Sequence, residues 1–473
     1  MRFFVLGLRS SSLFFATVLL AGCAVGPDYQ RPVIDVGAQY RQAQGWTPAR
    51  PADDALRADW WRLFNDPTLD GLMQAVLISN QTIAQVEAQY RQAQALLEAS
   101  GALFFPTLGA NAGVTRSGSG SGDTSRQYNL SGDVSWEADV WGRIRRTVES
   151  DRAQMQASAA DLASTRLSVQ STLAQTYFRI RAFDAERRLL EQTLAAYERS
   201  LRMTENRYDA GVASQLDVSS AQVQLENALT QRLALDRQRA QLEHAMAVLL
   251  GKAPSDFRLD EARVLVAVPD VPAGLPSQLL ERRPDVAAAE RRVASANAEI
   301  GVAQAAWFPD LTLSAQGGFR SGQWAQWLTA PFSFWSLGPT LAMTIFDAGA
   351  RSARIDQARA GYEAEVATYR QTVLTALQEV EDYLVALHGL EQEQLSQGRA
   401  LAAARESLRV TRNQYDAGLI DYLSVVQVET SALGAERDAI TLGADRLIAS
   451  VQLMTALGGG WQAETSQTSA SDN

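Results

Sequence analysis

Hydrophobic positions recur at helical spacing along most of the chain. From Arg143 to Tyr208 there is neither proline nor glycine, and apolar residues such as Leu162, Val169 and Leu173 fall on one face of a helix. A helix of that length would extend about 100 Å at about 1.5 Å per residue. The same spacing predicts five further helices, over residues 66–103, 215–250, 285–307 and 351–415 and in a last segment that ends at Leu457.

Two shorter regions change to a period of two. In residues 107–140 and 310–346, apolar and polar side chains alternate, most clearly where Tyr128, Leu130, Val134 and Trp136 alternate with polar neighbours. Strands of about ten residues or more with one apolar face suit a membrane barrel, although a soluble β-sandwich shows the same alternation. We therefore predict two β-hairpins, with a bulge or poor pairing at Pro339.

One turn occurs twice. Residues 200–218 and 407–425 align without a gap, and each copy contains Tyr-Asp-Ala-Gly between two helical segments. Gly211 and Gly418 stand where a helix would stop, because glycine adopts the left-handed C-cap conformation without a Cβ clash. Each copy therefore predicts a helical hairpin with its tip at one of these glycines. A repeat of this length describes the whole architecture.

The repeat divides the chain into two similar halves. The predicted segments are a lipoprotein signal peptide at 1–22, a lipid-anchored extended arm at 23–59, a first structural repeat at 60–250, an equatorial linker at 251–284, a second repeat at 285–457 and a disordered tail at 458–473. Each repeat contains a helix, a β-hairpin (107–140 or 310–346) and a long helical hairpin (143–250 or 351–457). The predicted fold class is mainly α with a membrane β part.

Composition narrows the function. The formal charge of −10 over 473 residues argues against a nucleic-acid partner. With one cysteine and two histidines, the chain cannot form an internal disulfide, and we expect no Cys/His metal cluster. No nucleophile–base pair or phosphate loop is evident, so we expect neither an enzyme nor a cofactor.

The single cysteine follows a targeting signal. Arg2 and Arg9 precede the apolar run Leu13–Leu20, which is too short to span a bilayer. Leu-Ala-Gly-Cys23 then resembles the lipobox of bacterial lipoproteins, which implies that Cys23 is lipidated and that Ala24 favours sorting to the outer membrane. The alternative is an ordinary signal peptide with a chance cysteine.

The four predicted strands imply that several copies of the chain assemble. Four strands cannot close a barrel, and an open edge in lipid leaves backbone groups without partners. Two chains would supply eight strands, too few for an aqueous channel, whereas three would supply twelve. We therefore predict a trimeric twelve-stranded β-barrel continued by an α-helical barrel.

Several motifs resemble one family. Residues 23–29, the Trp60-Trp61 segment, residues 275–285, residues 300–309 and the two Tyr-Asp-Ala-Gly turns are similar to the lipoprotein branch of the TolC-like outer-membrane factors. The resemblance implies a homotrimer in the lipid of the outer membrane that extends into the periplasm. It also implies an efflux channel for drugs or other small toxic compounds, with two partners: a periplasmic membrane-fusion adaptor and an inner-membrane transporter of the resistance–nodulation–division (RND) class.

The resemblance also suggests a periplasmic gate. The family usually reads Tyr-Leu-x-x-Leu-Asp after the second turn, and this chain has Leu423 and Gln427 at the second and sixth positions. Gln427 puts an acidic ring in doubt, and the alternative is that Asp421 or Glu429 substitutes for the missing aspartate. We expect Arg412, Tyr415 and Asp416 to latch this inner hairpin to its neighbour. Alternatively, Tyr415 only packs the turn and Arg412 is a solvated charge.

Exposed apolar residues at the tips suggest a docking site for the adaptor. The candidates are Gly211, Val212 and Ala213 in the first turn and Gly418, Leu419 and Ile420 in the second. The apolar members could equally form a hydrophobic staple across each turn. The aromatic loop 324–335 suits either a belt at the membrane interface or a tucked extracellular lid.

Two rival functions remain open at this point. One keeps the fold and makes the chain the outer duct of a type I protein secretion system. The other is a lipid-anchored periplasmic coiled-coil scaffold with a soluble β-domain, and it depends on whether Leu130, Val134 and Trp136 face lipid.

Overall fold

A computed structural model describes residues 24–34, 59–118, 120, 124–261, 266–269 and 283–460. The lipidation site Cys23, the signal peptide, most of the arm 23–59 and part of the linker 251–284 lie outside these ranges. Within them, no helix combines the length and the apolar character needed to cross a bilayer.

The long helices are present as predicted. The helices are α1 (Pro67–Ser79), α2 (Gln81–Gly101), α3 (Arg143–Asp209), α4 (Gln215–Leu249), α5 (Pro284–Ala305), α6 (Ala350–Asp416) and α7 (Tyr422–Ala456). Helix α6 continues without a break through its three glycines. Short 3-10 turns precede α1 and follow α2 and α4.

The first helix differs from its predicted extent. Asp66 caps α1 by accepting hydrogen bonds from the backbone N–H groups of Thr68 and Leu69, as the Asp-Pro pair suggested. However, the helix stops at Ser79 and a new one begins at Gln81. The reason is Asn80, whose side chain donates to the Leu249 carbonyl at 2.7 Å and accepts from the Ile83 N–H at 3.0 Å.

The predicted tail also begins later than expected. Helix α7 ends at Ala456, and Gly458 and Gly459 are buried. Gly459 has a φ of +57°, and a Cβ there would lie 2.4 Å from the Leu167 side chain. The segment 458–460 is therefore a packed turn, while the rest of the tail lies outside the described residues.

The strands form one antiparallel sheet in the order β1-β2-β3-β4. Its strands are β1 (Thr107–Gly118), β2 (Thr124–Ala138), β3 (Asp310–Ser321) and β4 (Ser333–Ala342). The two predicted hairpins join through β2 and β3, which leaves β1 and β4 as edges. Pro339 lies opposite Leu313 in unbroken register on the edge strand β4, so the bulge considered there is absent.

The register separates apolar from polar side chains as the alternation predicted. The apolar face is built from residues that lie opposite one another: Leu108, Val114, Tyr128, Leu130, Val134, Trp136, Leu311, Leu313, Phe319, Trp335, Leu337 and Leu341. Leu108, Trp335 and Leu337 are among the most exposed hydrophobic side chains of the described chain. The other face carries hydrophilic side chains, including an Asn111–Asp133 hydrogen bond of 3.1 Å.

The chain divides into two compact units. The first comprises 1–34, 88–159 and 288–371 and contains the sheet; the second comprises 35–87, 160–287 and 372–473 and contains both hairpin tips. In the second unit, Trp60, Trp61 and Phe64 are buried, and the Phe64 ring lies 4.8 Å from that of Phe178. Burial, with a hydrogen bond to Asp66, raises the pKa of Tyr177 in this core to about 12.

The described part of the arm crosses three helices of the first unit. Arg146 of α3 donates to the Gly26 carbonyl and to Asp28, Asn297 of α5 donates to the Pro27 carbonyl, and Arg31 reaches Tyr369 of α6. Gly26 has a φ of +106° and packs against Gly301. A Cβ added at position 26 would lie 2.5 Å from the Gly301 Cα atom. The described part of the arm is thus extended, and its path depends on a glycine–glycine contact.

Candidate functional site: the tips of the helical hairpins

Both tips have the same backbone. Gly211 and Gly418 each have a φ of +74°, which favours glycine because other residues pay a steric penalty there. The N–H of Val212 donates to the Arg207 carbonyl at 2.8 Å, and the N–H of Leu419 donates to the Gln414 carbonyl at 2.9 Å. These bonds satisfy the last carbonyls of α3 and α6 and reverse the chain direction.

The caps of the returning helices differ. Ser214 forms a capping box with Asp217 at the start of α4. Asp421 caps α7 by accepting from the Ser424 N–H at 3.0 Å. The hydrogen bonds from Ser424, side chain first and backbone second, lower the pKa of Asp421. These hydrogen bonds therefore hold the Asp421 carboxylate at the start of α7.

The apolar tip residues fall into two groups. Val212 and Leu419 are exposed, as are Gly211 and Gly418. Ala213 is half-buried, and Ile420 packs against a buried cluster formed by Ala221, Tyr415, Tyr422 and Val425. Ile420 thus has the contacts of a staple, whereas Val212 and Leu419 leave an apolar surface at each tip.

Tyr415 joins the two hairpins. Its side chain is 8% exposed, and its ring lies 5.5 Å from that of Tyr422. The guanidinium of Arg207, on α3, lies 4.7 Å from the Tyr415 ring centre. The Tyr422 hydroxyl lies 3.0 Å from the Ser200 hydroxyl, also on α3, and burial raises the pKa of Tyr422. These contacts fasten the α6–α7 tip to α3.

A buried carboxylate lies behind this tip. Glu429 is 5% exposed, and its Oε1 accepts from two guanidinium nitrogens of Arg412, at 2.7 and 3.1 Å. Its Oε2 is buried and has no hydrogen-bond partner among the described residues. The pKa of Tyr197 on α3 is raised by burial first and by the charge of Glu429 second. Arg412 therefore pairs within its own hairpin.

The predicted gate residues lie on a different face of α7. Leu423 and Gln427 are exposed and one helical turn apart, whereas Tyr422, Val425 and Glu429 face the core. Glu429 faces the core, and Asp421, although exposed, uses its carboxylate to cap α7. Asp416 is also exposed, and its side chain forms no hydrogen bond or ion pair with a described residue.

The sequence did not predict the contacts between the two hairpins. Ser200, Arg207 and Tyr422 were not predicted, and neither was the pairing of Arg437 on α7 with Glu186 on α3. A comparison of the two repeats could have pointed to Tyr422, because Gln215 stands at its equivalent position. The described residues contain no group of three or more metal-binding side chains.

Helical hairpins in two copies, joined at their tips and carrying β-hairpins, are the architecture of an outer-membrane efflux channel. A family model, outer membrane efflux protein, matches residues 72–252 and 275–459, one match for each repeat. The chain belongs to this family. Proteins of the family are homotrimers that work with periplasmic adaptors and inner-membrane RND transporters.

Individual relatives agree along almost the whole chain. The toluene efflux pump outer membrane protein TtgC of Pseudomonas putida is 32% identical over 466 residues, which cover 96% of each chain. The pyoverdine export outer membrane protein OpmQ of Pseudomonas aeruginosa is 32% identical and covers 97% of this chain and 98% of its own. The solved outer-membrane channel OprN is 32% identical, with a TM-score of 0.87 over 93% of this chain and 100% of its own.

These matches confirm the predicted family, fold class and location. The protein is an outer-membrane channel of a tripartite efflux pump and extends into the periplasm. The family consists of channels rather than enzymes.

Proposed function

We propose that the chain is a passive exit duct held closed at the α6–α7 tip until the adaptor and the transporter open it. The observation that carries this proposal is the exposed pair Leu423 and Gln427, which the core contacts of α7 leave free. In a trimer, three copies of one exposed leucine can form an apolar ring, and three glutamines can form a polar ring one turn away.

The latch would consist of the contacts that hold this tip against α3. Tyr415 contributes directly through Arg207 on α3, and indirectly through Tyr422, whose hydroxyl lies beside that of Ser200 on α3. Arg412 would act indirectly, because its ion pair with Glu429 fixes α6 against α7. Asp416 is exposed at the helix end and would reach a neighbouring subunit.

The sheet would be the part that lies in the membrane. Its apolar face carries aromatic residues near both ends, Tyr128 at one and Trp136 at the other, about 26 Å apart along the strand at about 3.3 Å per residue. That spacing suits the apolar band of outer-membrane barrels, which is about 25 Å tall. Three chains would pair β1 of one with β4 of the next, giving twelve strands. The exposed apolar face favours this arrangement over a soluble β-domain.

The adaptor would dock on the exposed tip residues. Val212 and Leu419 offer apolar side chains at equivalent positions of the two turns. Gly211 and Gly418 set the backbone beneath them, and the half-buried Ala213 and Ile420 support them from the core side. Cys23 would anchor the chain to the outer membrane through lipid.

The exported compounds would be small toxic molecules. One relative is named for toluene and another for pyoverdine, although both are 32% identical to this chain. Such different cargo at equal similarity supports a duct that does not itself choose the compound. No relative reported above is named for protein secretion, which favours efflux over the type I alternative.

Conductance in planar bilayers tests the gate. We expect the wild-type trimer to give small, mostly closed channels and both Leu423→Ala and Leu423→Ala/Gln427→Ala to open severalfold more often. The matched control is Leu216→Ala, because Leu216 is the equivalent residue of the first repeat and is also exposed, 69% against 60% for Leu423. Unchanged conductance in the Leu423 variants, or equal opening in the control, would contradict the gate. A monomer in detergent that never conducts would contradict the duct.

A further inference from the structure

Two arginines lie directly opposite each other on the sheet. Arg116 of β1 and Arg126 of β2 are register partners, and both side chains are exposed. They occupy the apolar face, because the next pair on that face is Val114 and Tyr128. Like charges directly opposite one another destabilise an antiparallel pair. Neither arginine forms an ion pair with any residue that the structure describes.

An aromatic cluster borders this pair. The rings of Tyr128, Trp324 and Trp327 lie 5.2 to 5.9 Å apart. Arg126 is two residues, or about 7 Å, beyond Tyr128 along the same strand face. The indole N–H of Trp327 is buried and has no acceptor among the described residues. The two arginines, the aromatic cluster and an indole N–H without an acceptor thus lie at the same end of one face of the sheet.

The position of this end of the sheet relative to the membrane indicates what surrounds the arginine pair. The helices join the strands at residues 105–107, 138–143, 305–310 and 342–350, so Gly118, Thr124 and the loop 321–333 lie at the other end of the sheet. If the helices extend into the periplasm, these residues lie at the outer leaflet, a step that rests on the proposed function. Tyrosine and tryptophan occupy the interface layer, and phosphate groups of lipids lie just beyond it.

We propose that Arg116 and Arg126 bind the phosphate of a phosphorylated glycolipid in the outer leaflet, with the aromatic cluster against its sugar. One phosphate between two guanidinium groups can accept several charge-assisted hydrogen bonds and remove the repulsion between them. The flat faces of Trp324 and Tyr128 suit the apolar face of a sugar ring. Each trimer would offer one such site per chain.

Lipid titration tests the site. Delipidated full-length trimers in detergent are titrated with lipid A, which carries two phosphates, and bound lipid is counted by native mass spectrometry. We expect wild type to bind up to one lipid A per chain, and Arg116→Gln/Arg126→Gln to bind about tenfold more weakly. Lipid A with its phosphates removed should bind wild type as weakly as it binds the double variant.

The control is on the same sheet. Arg320 pairs with Asn129, about 10 Å along the strand from Arg126, and occupies the opposite face, so Arg320→Gln removes a charge from the same sheet and should leave lipid binding unchanged. Equal binding by the double variant and wild type, equal loss in the control, no preference for phosphate, or displacement by a few millimolar inorganic phosphate would each overturn the proposal. Conductance separates the two proposals: conducting trimers without a lipid preference overturn only this one, and intact conductance shows that the variants fold.

Discussion

The turns at Gly211 and Gly418 share a motif and a backbone conformation, but only the second is tied into the core. Tyr208 and Tyr415 are equivalent residues, and they are 43% and 8% exposed. The difference comes from the residues around them: Tyr422 replaces Gln215 beside the second turn, and Arg207 extends from the first hairpin to the Tyr415 ring. A repeated motif therefore fixes the local turn, whereas unrepeated neighbours decide what the turn contacts.

The largest difference is expected for the two tyrosines. Tyr415→Ala should lower the free energy of unfolding by about 3 kcal/mol, because it leaves a cavity between Tyr422 and Arg207. Tyr208→Ala should cost about 1 kcal/mol or less, since that ring is largely solvated. Thermal unfolding of the purified variants measures both values. Equal losses would mean that the second turn is no more tightly packed than the first.

The ion pair should give the next largest effect. Arg412→Ala leaves the buried Glu429 carboxylate without its cation and should destabilise by about 2–3 kcal/mol. Glu205, the equivalent residue of the first repeat, is exposed, and Glu205→Ala should change stability by about 0.5 kcal/mol or less. A milder loss in Arg412→Ala/Glu429→Leu than in Arg412→Ala would confirm that the unpaired carboxylate causes the damage.

The glycines should show no difference between the turns. Gly211→Ala and Gly418→Ala should each cost about 1–2 kcal/mol, because an alanine at a φ of +74° is strained. A Cβ meets no atom within 4 Å at either position, so sterics add nothing. Unequal costs, measured by the same unfolding experiment, would reveal tertiary contacts at one tip that its backbone does not explain.

The smallest expected effect is the loss of the stability that Asp421 contributes when the pH becomes acidic. Hydrogen bonds from Ser424 lower the pKa of Asp421 in the folded chain, so the carboxylate form is favoured by folding. Its contribution is present above the pKa of the unfolded chain and is lost as the pH falls through the lower folded value. Asp421→Asn keeps a cap that does not titrate. Above about pH 5, the free energy of unfolding should therefore depend on pH in the same way in wild type and in this variant, and the two should differ in their pH dependence only in acid. Identical curves throughout would contradict the role of Asp421.

The sequence predicted whatever depends on local chemistry. Helical spacing predicted α3 within a residue, the Asp66-Pro67 pair predicted the start of α1, and alternation placed the apolar strand residues on one face. The alternation continued to Val140 and Ile345, however, whereas β2 and β4 end at Ala138 and Ala342. The break between α1 and α2 at Asn80 could not be predicted, because it depends on a carbonyl of α4, which is far away in the chain. The orientation of Glu429 escaped for the same reason: its partner, Arg412, is on another helix, and a one-dimensional pattern does not show which face of α7 that helix covers.

The two edge strands of the sheet have a consequence for how the protein is made. Before assembly, β1 and β4 each present a row of backbone groups without partners, next to an exposed apolar face. Such edges can pair with any other strand they meet, so a newly synthesised subunit is prone to aggregation. Cells that export it across the periplasm must therefore keep single chains apart until their edges can pair with each other in the membrane.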